Sequence, residues 1–113
     1  MASQIVRVDQ LRIEPFGSVM GTYAAFGPAF AHTMRMVRFV NTTDADMLIS
    51  FDTVNDNIIL PAGSFVLYDC TTNREESLTF FVFQIGTQAY LKYASGAPTK
   101  GSVYLECVYG QGE

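Results

Sequence analysis

The chain has 113 residues, so it has room for one domain with a real core. Its 49% apolar and 16% charged content places it well below the roughly 25% charge of an average domain. The net charge of −4 and the scattering of only seven Lys and Arg argue against a nucleic-acid or acidic-membrane surface.

Ser3–Glu14 alternates weakly. Ile5, Leu11 and Ile13 share one parity, and Val6 and Val8 share the other. The pattern fits a strand, or an arm that pairs elsewhere; a helix would be ended at once by Pro15 and Gly17. No basic region followed by an apolar run opens the chain, so it reads as made in the cytosol without a secretory leader. No run approaches the roughly 20 apolar residues of a membrane-spanning helix.

Phe16–Thr33 contains no charged residue, and Gly17, Gly21, Gly27 and Pro28 punctuate Phe16, Tyr23, Phe26 and Phe30. A free loop would be polar. This segment is expected to lie on a surface, either of its own domain or of a neighbouring chain. Residues 1–33 are therefore set apart as an apolar N-terminal arm or extended segment packing on the domain or on a neighbour, and residues 34–113 as the β-sandwich.

Met34–Asn41 is a strand by composition, though neither of its faces is clean. Arg35, Val37 and Phe39 share one side; Met34, Met36, Arg38 and Val40 share the other. Asn41–Asp46, by its Asn, Thr and Asp content, makes a turn. Met47–Leu60 reads as a hairpin that pairs Ile49 with Ile59 and Phe51 with Asn57. Pro61-Ala62-Gly63 forces a change of direction, Ser64–Asp69 begins another strand, and Thr71–Ser77 is a polar loop.

Leu78–Ile85 is the most apolar run, of strand length rather than helix length. Gly86-Thr87 suits a two-residue turn that would pair Phe83 with Tyr90, Phe81 with Lys92 and Phe80 with Tyr93. Gln88–Gly110 then reads as a hairpin about Thr99. Lys92 would face Glu106, Ala94 would face Tyr104 and Tyr90 would face Val108, with an opposite-charge pair across the ladder. Leu91, Tyr93, Val103, Leu105, Cys107 and Tyr109 form the expected core face. The expected outer face is apolar as well, although an exposed antiparallel face should be polar. Something must cover it. The residues assigned to this assembly interface are Phe81, Phe83, Ile85, Tyr90, Tyr104 and Val108, with Phe26 and Phe30 from the arm. About eight short strands with frequent turns predict an all-β fold, an antiparallel β-sandwich or jelly-roll-like barrel.

Residues for chemistry are sparse. His32 is the only histidine and sits in no motif. Cys70 and Cys107 form no Cys-x-x-Cys; they read as small buried residues, and their pairing stays open. Asp44, Asp46, Asp52 and Asp56 lack the Gly and closing Glu of a calcium loop and read as solvated turn carboxylates. No cleft is indicated for a carboxylate pair of the glycosidase kind. There is no phosphate-binding glycine loop. No catalytic residue, cofactor or metal is expected. The rival to a structural role is a small ligand- or carbohydrate-binding module using Tyr90, Tyr93 or Tyr104.

Three stretches, MRMVRFVNTTDADMLISFD, LPAGSFVLYDCTTN and GTQAYLKYASGAPTKGSVYLECVYG, together resemble small virion structural proteins of tailed bacteriophages. Pro61–Asp69 and Val108–Gly110 carry the turn and strand patterns of that family. The resemblance covers about Met34 to Gly110. It implies a non-enzymatic β-sandwich repeated as a neck, collar or tail ring or as capsid decoration. Its partners would be copies of itself and other virion proteins, with neither nucleic acid nor membrane, and its location the virion.

Overall fold

The computed structural model describes residues 6–69 and 83–110, with nothing stated for the side chain of Val6. The described residues are all β apart from one 3-10 turn, Phe16–Ser18. The strands are β1 Val6–Val8, β2 Arg12–Pro15, β3 Ala24–Ala25, β4 Met34–Asn41, β5 Met47–Ser50, β6 Ile58–Leu60, β7 Phe65–Asp69, β8 Tyr90–Tyr93 and β9 Ser102–Gly110. They form two antiparallel sheets. One has five strands, in which β9 lies between β4 on one edge and β1 and β2 end to end on the other, with β7 beyond β4. The other has four strands in the order β3-β8-β5-β6.

The pairing is nested. β5 pairs with β6, β4 with β7, β3 with β8 and β2 with β9. This is the jelly-roll arrangement, a long double strand rolled into a two-sheet sandwich. Phe26, Phe30, Met34, Val37, Phe39 and Met47 fill the space between the sheets with Ile49, Leu60, Leu91, Val103, Leu105 and Cys107. Each buried Phe or Leu stabilises the fold by roughly 1.5–3 kcal/mol before conformational entropy is counted.

Several sequence expectations are corrected. Gln88–Gly110 is not a hairpin: β8 and β9 lie in opposite sheets. Glu106 is the cross-strand partner of Arg38, and Lys92 that of Leu48. The link between β8 and β9 instead crosses the end of the sandwich and is tied to the β4–β5 loop. The Ala94 N–H donates to the Asp46 carbonyl at 2.9 Å, the Thr99 N–H to Asp44 Oδ1 at 2.8 Å, and the Ser102 N–H to Thr42 Oγ1 at 3.0 Å. The β5–β6 hairpin forms, but with Leu48 opposite Ile59 and Ile49 opposite Ile58, one residue away from the expected register. Asn57 does not pair through its strand position; its side-chain oxygen accepts from the Phe51 N–H and its own N–H donates to the Ile49 carbonyl.

The apolar N-terminal stretch belongs to its own domain. Phe26, Phe30 and Met34 run antiparallel to Phe83–Ala89. The Phe26 N–H donates to the Ala89 carbonyl (2.8 Å), Phe30 to Thr87 (2.8 Å) and Met34 to Phe83 (2.7 Å). Phe83 therefore bridges to Met34, while Tyr90 pairs with Ser50 and Ala25. The expected Phe83–Tyr90 pair does not form, although a turn at Gly86 does, with φ +90° and the Thr87 N–H on the Gln84 carbonyl. Residues 6–33 thus contribute strands to both sheets. The expectations for Leu78–Val82, Thr71–Ser77 and Cys70 lie outside the described residues.

Candidate assembly face

The outer face of the five-stranded sheet is set by the parity of β9. Val103, Leu105 and Cys107 are buried inward, so Tyr104, Glu106 and Val108 point out. Their cross-strand partners point out with them. One row reads Ile13, Tyr104, Val40, Phe65 across β2, β9, β4 and β7. The next reads Glu106, Arg38, Leu67, and the third Val8, Val108, Met36, Asp69. Val8 is 74% exposed, Phe65 60% and Ile13 52%. Such side chains arrayed over four neighbouring strands make one continuous apolar surface.

A charged couple interrupts it at the centre, and Asp69 on β7 ends its third row. Arg38 Nε donates to Glu106 Oε1 at 2.6 Å, and both side chains remain about two-fifths exposed, 42% and 41%. The Arg38 guanidinium also lies 5.7 Å from the centroid of the Phe65 ring, within cation–π range. The carboxylate holds the Arg38 pKa above its already high ordinary value, so the guanidinium stays charged throughout the physiological range.

The eight residues assigned to an interface from sequence are not brought together. Tyr104 and Val108 are on this face, half-buried among its rows. Phe26 and Phe30 are core residues, 1% and 2% exposed, with no surface left for a neighbour. Phe83 turns inward against Phe30, Phe51 and Tyr68, with ring centroids 5.9–6.4 Å apart. Ile85 is exposed in the turn before β8, and Tyr90 lies on the opposite sheet. Phe81 lies outside the described residues. Arg38, Val40, Met36, Ile13, Phe65 and Leu67 were missed as members. The even parity of Met36, Arg38 and Val40 was the available signal.

Elsewhere the described residues hold little chemistry. Tyr90 and Tyr93 lie on β8 and Tyr104 on the far sheet, so the three tyrosines line no common pocket. His32 stacks on Tyr109, 3.8 Å apart and nearly parallel. The four turn aspartates are dispersed. Asp44 accepts from Thr99, Asp46 from the Ala62 N–H, Asp52 from its own loop, and Asp56 from the Tyr23 hydroxyl at 2.6 Å. Burial, reinforced by Asp56, raises the Tyr23 pKa, so its hydroxyl stays protonated. Among the described residues no three His, Cys, Asp or Glu are grouped to hold a metal.

One groove, of about 410 Å³, opens beside β2 and is lined by Asp9–Glu14 and by Gly27, Pro28, Ala29 and Ala31. Arg12 is buried there. It donates to Asp9 Oδ2 at 3.3 Å and to Cys107 Sγ at 3.4 Å, and lies 5.2 Å from the centroid of Phe30. Burial pushes the Cys107 thiol up to about 11, so almost no thiolate exists at neutral pH despite the nearby cation. Among the described residues, no helix is long and apolar enough to cross a membrane.

No family model, curated protein or solved structure matches this chain.

Proposed function

We propose that the chain is a non-enzymatic structural subunit of a tailed-phage virion, repeated in a ring or shell and joined to its neighbours through the outer face of the five-stranded sheet. One observation carries the reading: apolar side chains run over that face across four adjacent strands, with one ion pair at the centre and Asp69 at the β7 edge. Exposed apolar patches of this kind mark interaction surfaces. The jelly roll serves viral capsid domains, but also lectins and enzymes, so fold alone does not choose among them. The resemblance of Met34–Gly110 to small virion proteins supplies the rest.

The test is incorporation into particles produced from the genome that carries the gene. The wild-type chain is expected to co-purify with particles, and Val40→Asp to be excluded while keeping its circular dichroism spectrum. Absence of the wild-type chain from particles, or equal incorporation of Val40→Asp, would contradict the assignment.

A further inference from the structure

We infer that this face docks against the same face of a second copy, about a two-fold axis running between β4 and β9 and parallel to them, so that Arg38 of each copy reaches Glu106 of the other. The inference rests on the assembly-face reading above and names its partner.

Size is the first argument. The strands of this sheet, three to nine residues long and about 4.8 Å apart, cover roughly 500 Å² in flat projection, and the corrugated accessible surface is larger, of the order of the ~800 Å² per partner of a standard interface. The second argument is charge. When a surface meets itself about a two-fold axis, residue i contacts j and j contacts i. Two in-plane axes bring this face onto itself with strands aligned. An axis across the strands, along the Arg38 row, sets Arg38 on Arg38 and Glu106 on Glu106. An axis along the strands, between β4 and β9, sets each residue over the cross-strand partner of its equivalent. Arg38 then meets Glu106, and Val40 meets Tyr104. The outer pair, Ile13 on β2 and Phe65 on β7, meet likewise, because these strands flank β9 and β4 symmetrically. Like charges pressed together in a desolvating interface oppose association, whereas alternating charges support it. Only the second axis satisfies the couple. The aligned arrangement is also the ordinary way in which two sheets stack.

Charge reversal tests the pairing by native mass in solution. Arg38→Glu alone and Glu106→Arg alone are each expected to weaken self-association about tenfold or more, because attraction becomes repulsion at two symmetric places. An equimolar mixture of the two variants is expected to recover a heterodimer of wild-type affinity. The double variant, which restores the couple within one chain, recovers the homodimer and serves as the folding control. Single variants that associate as tightly as wild type, or a mixture that gains nothing, would overturn the pairing. A wild-type chain that stays monomeric in solution also overturns it; if that chain is nevertheless incorporated into particles, the assembly-face reading survives.

Discussion

Gly101 lies so close to Thr42 that a β-carbon on it would stand 2.7 Å from the Thr42 carbonyl carbon and 2.9 Å from the α-carbon of Thr43. Its φ is +85°, a conformation side-chain-bearing residues seldom adopt. Here the β8–β9 link passes over the β4–β5 loop, and the two backbones can touch only where no side chain intervenes. Gly101→Ala is expected to cost about 2–4 kcal/mol, from left-handed strain and the clash with backbone that cannot move aside. Thermal unfolding should show a drop of roughly 10 °C or more. A drop within a few degrees would mean that the two loops separate easily.

Asn41 ends β4 inside the sandwich, 1% exposed. Its amide nitrogen donates toward the carbonyls of Ala45, Leu60 and Pro61, and its oxygen accepts from the Thr43 N–H and hydroxyl. One side chain therefore ties the first sheet to the turn leaving β6. Asn41→Ala leaves buried carbonyls unpaired and is expected to lose about 2–4 kcal/mol in denaturant unfolding. Asn41→Asp should lose more at neutral pH, since it donates nothing and buries a charge among carbonyl oxygens.

Asp52 accepts from the N–H groups of Val54 and Asn55, from the Asn55 amide and from the Ser50 hydroxyl. These bonds hold its carboxyl well below the ordinary 3.8, and Thr99 does the same for Asp44. A carboxyl depressed in the folded state adds stability that is fully present above 3.8 and is lost as pH falls through the lower folded value. Burial raises Glu14, which works in the opposite direction. Stability measured downward from pH 5 should therefore fall in the wild type. Asp52→Asn should flatten the fall and Glu14→Gln should steepen it. An unchanged slope in Asp52→Asn would show that its loop bonds do not persist in solution.

Arg12 is buried at the sandwich edge with one nitrogen, Nε, lacking a partner. Gly27 packs on it so closely that a β-carbon there would lie 2.8 Å from Arg12 Cγ. A buried ion pair with an unsatisfied donor contributes little net stability. Arg12→Met is expected to stay within about 1 kcal/mol of wild type or to exceed it, while Asp9→Ala, which strands the cation, should lose more. Urea unfolding of the two variants checks the order, and the reverse order would mean that the guanidinium is held by more than Asp9.

The all-β class and most strand positions were legible because alternation and turn residues are local signals. The inward set Val103, Leu105 and Cys107 followed from period two alone. Partner choice was not legible, because period two fixes which face a residue occupies but not which strand lies beside it. Lys92 and Arg38 both offered Glu106 an opposite charge, and sequence proximity favoured the wrong one. The untidy strands had a physical cause too. Register slips by one residue between β1 and β2, and again between Met34 and Met36. Each slip moves the apolar residues of one strand to the other parity. Of the assembly face, Tyr104 and Val108 could be found from their own strand, whereas Ile13, Phe65 and Leu67 required the topology.

The central place of β9 has a consequence for the order of events in the cell. This strand is the last described element to leave the ribosome, yet it fills the gap between β4 and the β1–β2 edge. Before it is made, the five-stranded sheet is split in two, and neither Glu106 nor the row around Tyr104 exists. A nascent chain lacking β9 therefore has no continuous outer face on this sheet. The ladder contacts that close this sheet join residues 6–15 to residues 102–110, which makes its closure a late and comparatively slow step.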